Sequence, residues 1–408
     1  MKYIILVGDG MGDLPLAELG GKTPLEAANT PAMDSLCKQG ELFQLRTIPE
    51  GMQPGSDIAN LSLLGYEPQE FYTGRAPLEA ASMGIELAEA ETAYRCNLVT
   101  LEKSNVDSVK MIDFSAGHIP TSESRILIKG LQKELGSDLF HFYPGISYRH
   151  LLIYKNSLSG LETVPPHDFI GQDVSEYWRR YLLFPDLQLM LESACKLLQN
   201  HPVNRQRTEK GLPAANAIWL WGEGKAPIMP TLEEKYGLKG SLISAVDLLK
   251  GIGVYGGLDI INVDGATGYL DTNYAGKAAA ALTAAVEQDF VFVHVEAPDE
   301  AGHQGSIADK IRAIEDFDSK IVKPVFEGLR SMSGNPDFRL VVCMDHLTPI
   351  SIRTHSAQPV PVLLYDSREG GIKSRLTYSE KNGENSRNLL SNGKEFFNKL
   401  LQRNCQRT

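Results

Sequence analysis

Seven side chains in this sequence could together hold two divalent metal ions and present a nucleophile to a phosphoryl group. Asp299 and His303 stand four positions apart in "VHVEAPDEAGHQG", Asp345 and His346 are adjacent in "LVVCMDH", and His355 follows in "RTHSAQPVPVLL". Asp9 closes the run "YIILVGD", and Ser56 lies in "QPGSDIANLSLLGYEP", where Gly55 precedes an expected helix start. A lone Asp-x-x-x-His pair usually serves as a cap or a surface pair; the company it keeps here gives it chemical meaning. A serine hydroxyl is a poor nucleophile near neutral pH unless a base or a metal stabilises its alkoxide. Two metal ions can do this while neutralising the oxygens of a phosphoryl group in transfer. Mixed Asp and His ligation suits zinc or manganese, and the residue types do not choose between them. Ser56 at a helix N-terminus would add backbone donors and a favourable dipole for a phosphate.

These residues converge only if particular elements position them. Three short apolar runs end in an acidic residue: "YIILVGD" at Asp9, "FVFVHVEAPD" at Asp299 and "LVVCMDH" at Asp345; a fourth run, "VPVLLY", follows His355. Such β-branched-rich runs suit strands buried on both faces, and parallel sheets gather ligands at the carboxyl ends of their strands. In "SIADKIRAIEDFDSKIVKPVFEGL" the apolar residues Ile307, Ile311, Ile314, Phe317 and Ile321 predict one face of a helix that covers the sheet. Strands alternating with helices give an α/β core. The middle reads differently: "CNLVTL", "VKMIDF", "FHFYPG" and "YRHLLIY" look like strands mixed with the helical patterns "SESRILIKGLQKEL" and "LQLMLESACKLLQN". The Pro/Gly-rich "GEGKAPIMP" leads back to the core. The expected organisation is a discontinuous α/β domain, residues 1–88 and 229–408, interrupted by an α+β domain over residues 89–228.

Bulk properties agree with an enzyme of small molecules. A chain of 408 residues is longer than one ordinary core supports, so two domains or a large insertion are expected. With 42% hydrophobic and 22% charged residues the composition is that of a globular protein. The net charge of -11, from 40 basic and 51 acidic side chains, and the lack of a basic run argue against nucleic acid. Cys37, Cys96, Cys195, Cys343 and Cys405 are odd in number and never form a CxxC pair, which predicts free thiols in a reducing compartment. No signal h-region or membrane span is evident, so a cytoplasmic protein is expected. Two motifs mislead. "GGKT" ends like a phosphate-binding loop, yet Leu16 occupies the position where its upstream glycine belongs. "GDGMGD" has the spacing GxGxG, and Asp9 would repel a pyrophosphate, so a metal ligand explains it better.

In order along the chain, "GDGMGD", "PGSDIANLSLLGYEP", "DEAGH" and "DHLTPISIRTHS" resemble the metal and nucleophile motifs of the alkaline phosphatase superfamily, and more closely those of the archaeal-type 2,3-bisphosphoglycerate-independent phosphoglycerate mutases. "GGKTPLEAANTPAMDSL", "FSAGHIPTSES", "YPGISYRHLL" and "EKYGLKGSLISAVDLLKGIG" extend the likeness over nearly the whole chain. The resemblance implies an alkaline-phosphatase-like core with a mostly parallel sheet flanked by helices, interrupted by the smaller inserted domain. It implies interconversion of 3-phosphoglycerate and 2-phosphoglycerate through a phosphorylated Ser56. Asp9, Ser56, Asp345 and His346 would surround one metal, and Asp299, His303 and His355 the other. Manganese is the first expectation for both, with zinc, magnesium or cobalt as alternatives. The inserted domain would hold the rest of a small phosphorylated substrate. His118 in "SAGH", Arg149 in "SYRH", Arg75 in "TGRAP", Arg207 in "NRQRTEKG" and Lys235 in "EKYG" occupy segments that resemble substrate-binding stretches, with His118 expected in an enclosed turn.

One segment departs from that pattern. Where the archaeal mutases are expected to carry an arginine, in a stretch resembling "LRGxG", this chain has "WLWGEGKAP", with Trp221 and the acidic Glu223. Loss of a fork-shaped cation from a phosphate and carboxylate site is not conservative. The stretch resembles a bacterial branch proposed to act as a homoserine kinase, in which Glu223 could meet an ammonium group and ATP would supply the phosphoryl group. That is the alternative expectation.

Overall fold

The structure, a computed structural model, describes residues 1–105, 108–156 and 160–402. It forms two compact units, Met1–Tyr72 with Ile228–Thr408, and Thr73–Pro227. The first division falls at residue 72, ahead of residue 88, because the helix Arg75–Ser82 buries Ala76 and Ala80 against Ala93, Leu151 and Ile153 of the second unit.

The first unit is built on an eight-stranded sheet. Its centre is three neighbouring parallel strands in the order Phe338–Cys343, Lys2–Gly8, Phe290–Val295, in register from Lys2 opposite Phe338 and from Tyr3 opposite Phe290. The two outer strands of this trio are buried along their whole length, as is Lys2–Gly8 from Ile4 onward, which is why they read as unbroken apolar runs. Gly240–Ile243 and Asp259–Ile260 extend the sheet in parallel on one side. On the other, Val360–Asp366 runs antiparallel to Phe338–Cys343, so the sheet is mostly rather than wholly parallel.

Helix Ile307–Phe317 covers the sheet with a face that differs from the expected one. Ile314, Phe317 and Ile321 are buried, but Ile307 and Ile311 are only half-buried, and Lys310 takes a fully buried position. The lysine is paid for by its partners: its Nζ donates to Gly12 O at 2.8 Å, Asp13 Oδ2 at 2.9 Å and Thr348 O at 2.7 Å. It thereby pins the loop after Lys2–Gly8 to the loop after Phe338–Cys343.

The second unit is an antiparallel five-stranded sheet with helices. Its long strand Thr92–Asn105 pairs with Arg149–Tyr154, Ser108–Asp113 and Ala217–Gly224. Helices Thr121–Leu135, Ser175–Leu182 and Pro185–Asn200 contribute Leu127, Leu131, Trp178, Tyr181 and Leu191 to a core shared with Trp219. Among the described residues Cys37, Cys96, Cys195 and Cys343 are buried free thiols, and Cys405 lies outside those residues. No helix of the described residues is long and apolar enough to cross a membrane.

Candidate metal centre and its serine

The carboxyl ends of the three central strands put Asp345 with His346, Asp9 and Asp299 on one rim. Asp299 lies in the first turn of helix Ala297–Gln304, and His303 follows one turn later on the same face. His355 arrives on the loop before Val360–Asp366, and Ser56 is the first residue of helix Ser56–Leu63. Gly10, with a φ of 56°, makes the turn beside Asp9; a Cβ there would collide with Asp299 Oδ1 and Thr348 Oγ1.

The distances show how tightly the side chains gather. Ser56 Oγ is 3.1 Å from His346 Nε2, and that nitrogen is 3.4 Å from Asp9 Oδ1 and 3.5 Å from Asp345 Oδ2. His303 Nε2 lies 3.2 Å from Asp299 Oδ2 and 2.9 Å from His355 Nε2, which is 3.5 Å from Asp299 Oδ1. Asp9, Asp345 and His346 offer ligand atoms within 4.8 Å of one another, and so do Asp299, His346 and His355. The structure therefore brings together all seven residues that strand-end reasoning selects.

Sequence reasoning missed an eighth, Glu296, which forms a third such group with Asp9 and Asp299. Its signal was available as the acid three positions before Asp299 in "VEAPD". His294 was missed because it sits inside an apolar strand. Its Nε2 donates to Asp9 Oδ2 at 2.9 Å, and burial pushes its pKa down to about 3, so the ring is neutral. Asn60 Nδ2 bridges Ser56 O at 2.8 Å and Asp345 Oδ2 at 2.9 Å, tying the serine's helix to a ligand.

Electrostatics give the cluster its sign. Burial, then repulsion from Asp345 and Asp299, raises the Asp9 carboxyl well above the usual range. Burial, then Asp299 and Glu300, pushes Glu296 up to about 8. Burial opposes ionisation of Asp299 too, but hydrogen bonds with His303 and His355 outweigh it and hold that carboxyl well below its ordinary value. Asp9 Oδ1 is buried with no hydrogen-bond partner among the described residues. An orphaned acceptor at the centre of carboxylates and imidazoles fits a divalent cation, whose charge would reverse the repulsion.

The candidate substrate groups fare unevenly. In the second unit Arg75 begins helix Arg75–Ser82, and exposed Arg149 lies 6.0 Å from the Tyr148 ring. Burial lowers the pKa of Arg95, the Glu79 carboxylate opposes that shift, and Arg75 and Arg149 add to it, so three guanidiniums are neighbours. Arg95, missed in the sequence, pairs with Glu79 at 3.0 Å and stacks 4.0 Å from the Trp221 ring. A charge interrupting the apolar strand "AYRCNLV" was its only signal. His118 is exposed rather than enclosed, because residues 116–118 all adopt positive φ and turn its ring outward beside Phe114 and Tyr148. Arg207 is buried: it donates to Glu123 at 2.6 Å, Ala116 O at 2.6 Å and Pro213 O at 2.9 Å, so it supports the His118 turn instead of reaching a substrate. Lys235, in the first unit, donates to Gly65 O at 2.8 Å and pairs with Glu67 at 3.3 Å. Glu223 accepts the Thr163 hydroxyl.

Fold and cluster together define a class: an α/β protein with a divalent-cation donor set beside a serine at a helix start. The profile of the 2,3-bisphosphoglycerate-independent phosphoglycerate mutases matches residues 37–204. A relative from Geobacter sulfurreducens named as a probable enzyme of that kind is 48% identical over 403 residues, covering 99% of this chain and 100% of its own. One from Methanosarcina barkeri, named as such a mutase, is 50% identical and covers 94% and 95%. A solved structure from Pyrococcus horikoshii matches with a TM-score of 0.81 at 28% identity over 100% and 99% of the two chains. The cofactor-independent phosphoglycerate mutase of Thermoplasma acidophilum matches with 0.66 at 25% over 98% and 99%. The chain belongs to the 2,3-bisphosphoglycerate-independent phosphoglycerate mutase family.

Proposed function

We propose that this protein interconverts 3-phosphoglycerate and 2-phosphoglycerate through transient phosphorylation of Ser56. The observation that carries the reading is the Ser56 hydroxyl, 3.1 Å from His346 Nε2 inside a buried carboxylate and imidazole cluster, in a chain of this family. Asp9, Asp345 and His346 would hold one divalent cation beside Ser56, and Asp299, His303 and His355 the other, with manganese the first candidate. When bound, the cations lower the cost of a serine alkoxide and neutralise phosphoryl oxygens. The bond from phosphorus to one substrate oxygen breaks as the bond to Ser56 Oγ forms, and the proton lost by the serine hydroxyl balances the one gained by the released substrate oxygen. The return step attaches phosphorus to the neighbouring hydroxyl and restores the serine. Nothing is consumed, so no nucleotide is required. Ser56 opens the helix Ser56–Leu63, whose N-terminal dipole favours a phosphate there. Arg75, Arg95 and Arg149 supply cationic charge suited to a small phosphorylated carboxylate. Buried free thiols suit a cytoplasmic setting.

Paired assays on manganese-loaded protein test the proposal, one with 3-phosphoglycerate alone, followed for 2-phosphoglycerate, and one with homoserine and ATP, followed for phosphohomoserine. The first should turn over and the second should not. Ser56→Ala should lose at least about a thousandfold of the rate while keeping its thermal midpoint. Normal turnover by that variant would sink the phosphoserine route.

A further inference from the structure

Thr348 is fully buried, and its hydroxyl stands between the two candidate ligand groups. It donates to Asp299 Oδ1 and lies 3.2 Å from His346 Nδ1. The direction of each bond follows by elimination. A carboxylate only accepts, and a hydroxyl has a single proton. With that proton committed to Asp299, Thr348 Oγ1 faces His346 as an acceptor, so Nδ1 must carry the imidazole hydrogen. Nε2 is then left with its lone pair, and Nε2 is the atom that faces Ser56, Asp9 and Asp345.

The two other imidazoles of the cluster are oriented by groups that leave no choice. His303 Nδ1 donates to Arg353 O at 2.9 Å, and His355 Nδ1 to Pro54 O at 3.4 Å, and a backbone carbonyl can only accept. Among His303, His346 and His355, His346 is the one whose Nδ1 faces a partner able to donate or accept. Without the hydroxyl, the preferred tautomer would change: Nε2–H could donate to the orphaned Asp9 Oδ1, 3.4 Å away, and the nitrogen would be lost as a ligand.

We propose that Thr348 is a positioning residue that sets the tautomer of His346 and makes the donor capacity of the Asp9, Asp345 and His346 group depend on the Asp299 carboxylate of the other group. The proposal rests on the cation-binding reading of the cluster. It extends that reading to a residue outside both candidate ligand groups. Outer partners of this kind commonly change metal affinity by about 10- to 100-fold.

Long-range proton–nitrogen NMR on metal-free wild-type protein reads the tautomer directly, with the His346 signals assigned by their loss in His346→Gln. Nδ1–H is expected; Nε2–H would overturn the proposal whatever any variant does. Calorimetric titration with Mn2+ then compares wild type, Thr348→Val and Thr348→Ser. The valine variant should bind one Mn2+ about 10- to 100-fold more weakly with an unchanged thermal midpoint, and serine should restore binding. Wild-type affinity at both positions in a folded Thr348→Val would also overturn it. If Thr348→Val does not fold, rescue by serine and the wild-type tautomer still decide. Wild-type protein that takes up no Mn2+ would instead refute the cation reading, and the tautomer measurement would judge Thr348 by itself.

Discussion

Cation affinity should keep rising with pH to about 9, well beyond the point where an ordinary imidazole has finished titrating. His303 is the reason. The hydrogen bond with Asp299 raises its pKa, burial opposes the shift, and the balance stands at about 9. Geometry also requires a proton between the two rings: His303 Nε2 and His355 Nε2 lie 2.9 Å apart, and two bare lone pairs would repel at that distance. A protonated nitrogen has nothing to offer a metal, so ligation through His303 must expel one proton. The bound state holds fewer protons than the free state, so raising pH favours binding. At pH 7 only about one part in a hundred of His303 is free of its proton. From His303 alone, apparent affinity should therefore lie about a hundredfold below its limit there and gain about tenfold per pH unit between pH 6 and 8, and the raised carboxyl of Asp9 can only steepen that rise. Calorimetric titration with Mn2+ at about pH 6.5, 7.5 and 8.5, in buffers of different ionisation enthalpy, measures both the slope and the proton released. An affinity that levels off above about pH 6.5, or binding at pH 7 without proton release, would refute the reasoning.

Three further outcomes are expected. Gly10→Ala forces a Cβ onto Asp299 Oδ1 and Thr348 Oγ1 at a φ of 56°, so it should lower the unfolding free energy in urea by about 1–3 kcal/mol and weaken Mn2+ uptake, both read by titration. Lys310→Met leaves the buried Asp13 without its cation and removes the lysine's bonds to Gly12 O and Thr348 O, so it should cost about 3–5 kcal/mol in urea unfolding. Burial pushes the Glu380 carboxyl up to about 7, although it accepts from Asp13 N at 3.0 Å and from Thr23 Oγ1 at 2.9 Å. Between about pH 4.5 and 7 the folded chain holds a proton that the unfolded chain has released, so stability should fall by about 3 kcal/mol as pH rises through that window; Glu380→Gln should flatten the change between urea curves at about pH 5 and pH 8.

What could be read from the sequence followed from how parallel sheets bury themselves. A strand covered on both faces is apolar until it stops, so Asp9, Asp299 and Asp345 announced themselves as charges at abrupt ends, and adjacency of their strands in the sheet brought them to one rim. Residues that hold those ligands carry no such mark. Thr348 and Asn60 are small polar residues beside a motif, and nothing in their spacing says that each bridges two functional groups. Helical periodicity selected Ile307 and Ile311 over Lys310, because it weighs side chains by polarity and cannot see the oxygen acceptors waiting at the end of a lysine. Arg207 failed the other way: an arginine in a polar segment reads as a solvated cation, yet its acceptors come from residues 116, 123 and 213 and bury it.

The buried charge explains why ligands and support cannot be separated in this site. Asp9, Asp299 and Asp345 are almost wholly removed from water, and Glu296 adds a fourth carboxyl beside them. The nearby lysines do not balance them fully. Lys310 is committed to Asp13, and Lys277, which donates to His294 O at 2.9 Å, has its own pKa lowered by burial to about 8 despite Glu296. Raised carboxyl values at Asp9 and Glu296 are the consequence of leaving like charges together at low dielectric. Divalent cations would remove that repulsion, so the free energy that neutralises a phosphoryl group in transfer also stabilises the fold that positions the ligands. Any change on the rim must therefore satisfy chemistry and stability together.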